Sequence, residues 1–256
     1  MSDTSPLEAR RRPAGAPLVI EEAAPTLADG SGRMFDRIAP RYDLLNRILS
    51  LGLDHGWRKK LVRALAPAAA GPLLDVATGT ADVALALARA YETARVVGVD
   101  TSTGMLAVGR DKLRDAGLEE RIGLLPADAQ ALPFEDASFA AATIAFGIRN
   151  VPDRARGLAE MCRVTKRGGP VVVLELGEPR AGVLAPFARA HLHAVVPRVG
   201  AWLSGADEYR YLEASVARFP APEEFASQMR AAGIAIERVE SLGFGAAHLY
   251  VGRARA

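Results

Sequence analysis

The chain has 256 residues, 50% of them hydrophobic, with a formal net charge of +2, which suits one α/β domain with an appendage and argues against a large nucleic-acid surface. Its single cysteine, Cys162, excludes an internal disulfide and is typical of a reducing compartment. No run of about 18 apolar residues is present, so no membrane-spanning helix is expected, and the arginine-rich start lacks the apolar run of a secretory signal.

The beginning of the chain is predicted to be a tail followed by a helical lid. Residues 1–32 contain four prolines and no apolar periodicity, which predicts a disordered tail. Residues 33–252 are expected to form one domain. It opens with helical periodicity over about 34–65, broken near Pro40 and around Gly52.

Strand and helix patterns then alternate along the chain. Strands are predicted at 72–76, 95–99, 121–125, 139–145, 170–175, 234–239 and 244–251, and helices at 82–90, 103–115 and 153–163. Such alternation predicts a parallel, doubly wound sheet with helices on both faces. The last two strands are separated by a short turn and predict an antiparallel hairpin. A mostly helical insert over about 178–219 interrupts the rhythm.

The turn after the first predicted strand carries the clearest functional signal. Asp75 ends an apolar run, and the small residues that follow, with Gly79 and Thr80, let a ligand approach the backbone. Asp100 ends the next strand, where an acid can hold two ribose hydroxyls. The loop lacks the Gly-x-Gly-x-x-Gly pattern of a pyrophosphate site, and Asp75 suits a cation. The pattern therefore favours S-adenosylmethionine over a dinucleotide; an ordinary strand–helix turn is the alternative.

Several motifs occur in a fixed order from about Phe35 to Gly252. The longest are Tyr42–Asn46 followed by Ser50 and Trp57, Arg163–Gly169 followed by an apolar run ending at Glu175, Ala131–Phe134, Phe146–Val151, Pro197–Gly200 and Tyr209–Leu212. In these motifs the chain resembles the ubiquinone/menaquinone biosynthesis C-methyltransferases.

The chain departs from this family's pattern at a few positions. Asp54 stands where the family has a histidine, with His55 next to it, which implies that the histidine has no universal chemical role. Arg167 replaces the proline that commonly precedes the two glycines. Ala77 and Ala81 occupy positions of the glycine loop, so we expect both residues to keep negative φ.

The resemblance implies a class I S-adenosylmethionine-dependent methyltransferase: a Rossmann-like, seven-stranded, mostly parallel α/β sheet with a C-terminal antiparallel hairpin, N-terminal helices and a helical substrate cap. It implies C-methylation of a polyprenylated quinol. The Gly-Thr-Ala-Asp loop from Gly79 is similar to menaquinone-type members and favours demethylmenaquinol as substrate. The alternative is 2-methoxy-6-polyprenyl-1,4-benzoquinol in ubiquinone biosynthesis, or both. A nucleic-acid methyltransferase and a non-catalytic nucleoside-binding scaffold are remote alternatives.

The resemblance also implies roles for the residues that would bind S-adenosylmethionine. Asp75, Gly79 and Thr80 are expected at its methionine end, and Asp100 at its ribose. Asp128 and Ala129 follow the third predicted strand and are expected at the adenine. The alternatives are a helix cap for Thr80 and Asp100, and loop ordering for Asp128.

Catalysis is predicted to depend on Arg149 and Asn150, which follow the fourth predicted strand. Arg149 cannot favour a sulfonium, so its expected partner is the anionic oxygen of an ionising quinol; the alternative is an ion pair with an internal acid that braces the loop. The lid and cap residues expected at the substrate are Tyr42, Asp43, Asn46, Tyr209 and Tyr211.

The expected partner is the quinol alone, without nucleic acid. The histidines lack a carboxylate or cysteine partner set, so no metal site is predicted. For the cap, contact with the rest of the domain, a homodimer interface and peripheral contact with a membrane remain open. The expected location is the cytoplasm, either free or at the inner face of the cytoplasmic membrane.

Overall fold

The computed structural model describes residues 31–50, 52–66, 71–177 and 206–255. The predicted tail up to residue 30, and the predicted cap up to residue 205, lie outside the described residues. Helices α1 to α8 span Ser31–Ile38, Tyr42–Leu49, Asp54–Ala64, Asp82–Ala90, Thr103–Ala116, Arg154–Val164, Ala206–Ala217 and Pro222–Ala231. Strands β1 to β7 span Leu73–Val76, Val96–Asp100, Ile122–Pro126, Ala141–Ala145, Pro170–Leu176, Ile234–Leu242 and Ala247–Ala254.

The strands form one seven-stranded sheet in the order β3-β2-β1-β4-β5-β7-β6. Strands β1 to β5 pair in parallel, and β7 pairs antiparallel with both β5 and β6. This is the Rossmann-like class I methyltransferase sheet that the sequence predicted, so the fold class is confirmed. Strand order reverses between β1 and β4, and in open α/β sheets ligands bind at the carboxyl ends of the strands beside such a reversal.

Two apolar layers cover the two faces of this sheet. On one face, Leu61 of α3 and Leu87 of α4 pack in a cluster with Val172 of β5. On the other face, Leu158 of α6 and Phe225 of α8 pack in a cluster that contains Val173. Neighbouring residues of β5 thus belong to opposite layers, as the two-residue period of a strand requires. No helix within the described residues has the length and apolar character needed to cross a membrane.

Two helices next to the sheet, α5 and α6, have side-chain caps at their N-termini. Ser102 caps α5 by accepting a hydrogen bond from the backbone of Met105. Asp153 caps α6 in the same way, accepting from the backbone of Arg156. Side-chain oxygens at these positions satisfy N–H groups that have no partner within the helix, so each strand passes into its helix at a defined angle.

The N-terminal helices lie over the carboxyl edge of the sheet. Pro40 lies in a 3₁₀ turn at Ala39–Arg41 between α1 and α2, and Gly52 has a φ of +76° before α3. Both predicted breaks in the helical segment are therefore confirmed, and its role as a lid stays a prediction. The helix α1 packs against α5, and α3 packs against α4 and β5. The lid thus contacts elements that lead directly to the carboxyl ends of the strands.

Two strands begin two or three residues later than their patterns predicted, and three others begin one residue later. Phe139 forms an isolated bridge to Thr165, and β4 begins at Ala141. Before β7, residues Gly243–Gly245 form a 3₁₀ turn with positive φ at all three residues. The ideal Cβ position of Gly243 lies 2.6 Å from the ring of Trp57, so this turn is shaped by contact with the lid as well as by its glycines.

Candidate active site

A cleft of about 750 Å³, open to solvent, lies at the carboxyl ends of the first four strands. A smaller space of about 330 Å³ lies beside it, at the end of β1. Tyr42, Ala77, Gly79 and Phe146 line both spaces, so the two form one continuous region. The remaining residues around the larger cleft include Phe35, Asp100, Thr101, Met105, Ala127, Asp128, Ala129, Gln130, Gly147, Asn150, Val151 and Pro152.

The loop between β1 and α4 has left-handed backbone at three positions. Gly79 has a φ of +56°, and Ala77 and Ala81 have φ values of +50° and +66°. The prediction that both alanines keep negative φ was therefore wrong. The loop must turn sharply enough for the backbone N–H of Thr78 to bond Val99 and that of Gly79 to bond Asp100. Left-handed backbone costs an alanine about 1–2 kcal/mol, which this pairing offsets.

Asp100 holds the loop from the end of β2. One carboxylate oxygen accepts from the backbone of Gly79 and the other from the backbone of Ser102, each at 2.9 Å. Burial raises the pKa of Asp100 above its ordinary value. Each oxygen keeps a second acceptor position, so the carboxylate can still receive two hydroxyls. The helix cap that was the alternative role is formed by Ser102 instead.

Asp75 lies at the end of β1 and is 1% exposed. Its carboxylate accepts a hydrogen bond of 2.6 Å from the hydroxyl of Thr78. Burial raises its pKa to about 7, an effect that the bond from Thr78 and the nearby charge of Arg58 only partly oppose. A carboxylate in this position gains from a cationic neighbour, as the sequence predicted for the methionine end of the cofactor.

Thr80 links this loop to the lid. Its hydroxyl donates to Asp43 of α2 at 2.6 Å and accepts from Lys112 of α5 at 3.0 Å. Lys112 also forms ion pairs with Asp43 and with Asp82. Thr80 is not a helix cap, because α4 has Ala81 at that position and no side-chain cap. Its hydroxyl instead holds the lid near the cofactor loop.

The predicted adenine residues lie along the cleft after β3. The carboxylate of Asp128 accepts from the backbone and the side chain of Gln130 at 2.8–3.1 Å. The loop-ordering alternative therefore describes a real contact of Asp128. Asp128 and Ala129 also line the cleft, where Met105 provides a buried apolar wall. The arrangement suits a flat aromatic base with polar edges.

Arg149 is held by a buried acid. Its Nη1 atom donates to Glu175 and to the carbonyl of Phe146, both at 2.6 Å, and the two charged side chains are 6% and 0% exposed. This is the ion pair that the bracing alternative required. The Nε atom of Arg149 is buried and has no hydrogen-bond partner. Arg149 is absent from the residues lining the cleft, so its predicted contact with substrate stays a prediction.

Asn150 lines the cleft directly. Its Oδ1 atom is buried without a hydrogen-bond partner. An unsatisfied buried acceptor costs about 1–3 kcal/mol, so such an atom points to a group that completes the site. The structure thus brings Asn150, Asp100 and Asp128 to one cleft.

The predicted lid and cap residues differ in whether they line the cleft or the smaller space. Tyr42 lines both spaces and packs edge-on against Phe35, with ring centroids 6.2 Å apart. Asn46 has a buried Nδ2 atom without a partner and lies outside both linings. Tyr211 is half-buried in α7, which packs against the turn Ile148–Asn150. The side chain of Tyr209 lies outside what the structure describes.

Several residues of the site were not identified from the sequence. Arg58 lines the smaller space, Phe35 and Phe146 line the cleft, and Glu175 pairs with Arg149. Arg58 directly follows the motif tryptophan Trp57, and Glu175 ends the motif strand. Both positions therefore adjoin or belong to motifs, but their roles depend on partners from other elements, Asp82 for Arg58 and Arg149 for Glu175.

The residues of the cleft fit S-adenosylmethionine. Asp100 offers free acceptor positions beside an apolar wall, and Asp75 offers negative charge at the other end of the same region. The loop between them presents small residues and an acid, which suits a cationic nucleoside and not a pyrophosphate.

The sequence profile of the ubiE/COQ5 methyltransferase family matches residues 27–254. A ubiquinone/menaquinone biosynthesis C-methyltransferase UbiE from Syntrophotalea carbinolica is 49% identical, over 86% of this chain and 92% of its own length. A demethylmenaquinone methyltransferase from Thermus thermophilus is 47% identical, over 86% of this chain and 99% of its own length. The crystal structure of a SAM-dependent methyltransferase from Aquifex aeolicus shares the fold, with a TM-score of 0.53 and 17% identity. The match covers 72% of this chain and 81% of that protein. The chain therefore belongs to the ubiE/COQ5 methyltransferase family.

Proposed function

We propose that this chain transfers a methyl group from S-adenosylmethionine to a ring carbon of a polyprenylated quinol, with demethylmenaquinol as its substrate. The observation that carries the proposal is the cleft itself. It joins the buried Asp75 and the half-buried Asp100, both suited to a cationic nucleoside, to a partnerless amide oxygen of Asn150. The names of its relatives favour this reaction over nucleic-acid methylation and over a non-catalytic role.

The cofactor is proposed to lie across the strand ends. Asp100 would accept hydrogen bonds from the ribose hydroxyls, and Asp128 with Ala129 would contact the adenine. Gly79 and Thr80 would flank the methionine part, next to Asp75. When bound, S-adenosylmethionine supplies an electrophilic methyl group on a positively charged sulfur.

The quinol is proposed to bind beside Asn150. The Oδ1 atom of Asn150 is an acceptor, and only the reduced quinol has a hydroxyl that can donate to it. An oxidised quinone offers acceptors alone and would leave Oδ1 unpaired. Asn150 would therefore favour the redox state whose ring is electron-rich enough to attack a methyl group.

Arg149 is proposed to lower the pKa of the quinol hydroxyl. A phenol ionises near pH 10, and lowering that value by about 2–3 units takes roughly 3–4 kcal/mol of preferential binding to the anion. The pairing with Glu175 fixes the guanidinium of Arg149 and offsets part of its charge. The unpartnered Nε of Arg149 leaves part of the donor set for the developing oxyanion.

The second candidate substrate is the benzoquinol of ubiquinone biosynthesis, because the relative from Syntrophotalea carbinolica is named for both pathways. A competition assay separates the two. The purified protein receives labelled S-adenosylmethionine and equal amounts of demethylmenaquinol and 2-methoxy-6-polyprenyl-1,4-benzoquinol under reducing, anaerobic conditions. We expect most of the label in the naphthoquinol. Preferential labelling of the benzoquinol would assign the chain to ubiquinone biosynthesis.

The proposed substrate is a lipid, so the protein is proposed to meet it at the inner face of the cytoplasmic membrane. Sedimentation with vesicles that contain or lack demethylmenaquinol tests this contact. We expect more protein to sediment with the substrate-containing vesicles. Equal amounts in the supernatant with both would favour extraction of the quinol without stable membrane contact.

A further inference from the structure

The smaller space beside the cleft contains two opposite charges. Arg58 reaches it from the lid helix α3, and Asp75 reaches it from the end of β1. Both side chains are largely withdrawn from water: Arg58 is 12% exposed and Asp75 is 1% exposed. Gly79 and Thr80 also line this space. Both residues are proposed to flank the methionine part of the cofactor, so the two charges lie where that part would bind.

The hydrogen bonds of Arg58 use only part of its guanidinium. Nη1 donates a hydrogen bond to Asp54 at 2.6 Å and forms an ion pair with Asp82 at 3.1 Å. The guanidinium also lies over the ring of Phe146, 5.7 Å from its centre. Nε is buried without any hydrogen-bond partner. A buried cationic donor without a hydrogen-bond partner lowers the stability of the protein. The edge of the guanidinium that contains Nε has the geometry that binds a carboxylate.

The charge of Arg58 acts on Asp75, but no direct ion pair joins the two side chains in the described part of the chain. The ion pairs of Arg58 in the described part of the chain go to Asp54 and Asp82. The carboxylate of Asp75 instead accepts from Thr78. One small space therefore holds an anion suited to an ammonium group and a cation suited to a carboxylate. This combination is complementary to the zwitterionic end of an α-amino acid.

We propose that Arg58 binds the α-carboxylate of the methionine part of S-adenosylmethionine, with Asp75 facing the α-ammonium group. The inference rests on the proposed function only for the presence of this cofactor. It adds a specificity: the site distinguishes the complete cofactor from nucleosides that lack the carboxylate. Because Arg58 belongs to α3, the carboxylate would also join the lid to the sheet.

Calorimetric titration with three nucleosides tests the proposal. They are S-adenosylmethionine, its decarboxylated form, and 5′-methylthioadenosine, which lacks the whole amino-acid part. We expect the wild-type protein to bind the complete cofactor about 10–100-fold more tightly than the decarboxylated form, the range of one charge-assisted bidentate contact. Arg58→Met should remove this difference while changing the affinity for the decarboxylated form less than threefold. Arg58→Lys keeps the positive charge but lacks the two parallel N–H donors of the guanidinium, so it should retain part of the preference for the complete cofactor.

The matched control is Asp54→Asn, which removes the main internal partner of Arg58 and leaves its Nε edge in place. We expect this variant to keep the wild-type preference for the carboxylate. Because each variant is compared on two ligands, a general loss of folding cancels from the ratio. Equal weakening of both ligands in Arg58→Met would show that Arg58 is structural and overturn the proposal. Equal wild-type affinities for the complete and decarboxylated forms would also overturn it and leave the cofactor assignment intact. No binding of any of the three nucleosides would overturn the cofactor assignment as well.

Discussion

The sheet half and the lid half of the site are held together by different kinds of contact. On the sheet, Asp100 accepts from the backbone of Ser102, two positions away, and of Gly79, 21 positions away, and Asp75 accepts from Thr78, three positions away. On the lid, Asp43 and Asp36 bond groups 37 to 68 positions away, in the loop after β1 and at the start of α5. The sheet half is thus built from contacts within and between neighbouring strand ends, whereas the lid half depends on side chains that are farther apart in the sequence. We therefore expect a change at Asp100 to weaken cofactor binding more than a change at Asp43.

The largest expected effect comes from the buried pair behind Asn150. Arg149→Met leaves Glu175 charged, buried and unpaired, which should cost about 3–5 kcal/mol of the free energy of unfolding. The double variant with Glu175→Gln should recover most of that stability, because no buried charge remains. Chemical denaturation measures both. Turnover of the stable double variant should still be about 10²-fold or more below wild type if Arg149 stabilises the quinol anion. Recovery of near wild-type turnover would make Arg149 a brace only.

The next effect concerns Asp100. Asp100→Ala should weaken S-adenosylmethionine binding by about 2–4 kcal/mol, because it removes a charged double hydrogen bond to the ribose. Asp115→Ala, which removes an exposed acid from the following helix, is the matched control and should bind normally. Calorimetry on the folded variants gives both affinities. An unchanged affinity in Asp100→Ala would remove this carboxylate from the cofactor site.

Asp75 links cofactor binding to pH. Its pKa is raised to about 7 in the folded protein, so the ligand-free protein holds a proton there that the unfolded chain has already lost. The contribution of Asp75 to the free energy of unfolding is therefore fully present below pH about 4 and is lost as the pH rises through about 7. Between pH 5 and pH 8 the loss should be about 2–3 kcal/mol. Asp75→Asn should lack this loss when unfolding is followed across that range.

The same group predicts the opposite slope for binding. A cationic ligand favours ionised Asp75, so the wild-type affinity for S-adenosylmethionine should rise between pH 6 and pH 8. The affinity of Asp75→Asn should be lower and nearly flat over that range. Parallel pH profiles of the two proteins would show that Asp75 does not face the cation.

The smallest expected effect is on the lid. Asp43→Asn keeps an acceptor for Thr80 but loses the ion pair with Lys112, a partly exposed pair worth about 0.5–1 kcal/mol. Cofactor affinity should fall less than about fivefold, and its dependence on salt should weaken. Asp111→Asn, at an exposed pair with Arg114, is the control. A loss as large as that of Asp100→Ala would show that the lid carries binding energy comparable to the sheet.

The same contrast explains what the sequence could predict. The parallel strands, their order of appearance and the acids at their ends follow from apolar runs and turn residues, so Asp75 and Asp100 were found. The contacts of Asp43 with Lys112 and of Arg58 with Asp82 depend on how the lid packs, which no local pattern records. The backbone of Ala77 and Ala81 was mispredicted for a related reason. Their left-handed φ is imposed by long-range bonds of the loop and not by their own preference.

The central claim is methylation of a reduced quinol ring, and one anaerobic assay tests it most directly. The protein is given labelled S-adenosylmethionine with demethylmenaquinol in one reaction and with demethylmenaquinone, free of reductant, in the other. We predict label on the ring carbon of the quinol and little or no transfer to the quinone, because an oxidised ring is electron-poor and offers Asn150 no donor. Equal labelling of both forms, or label on oxygen in place of carbon, would contradict the account.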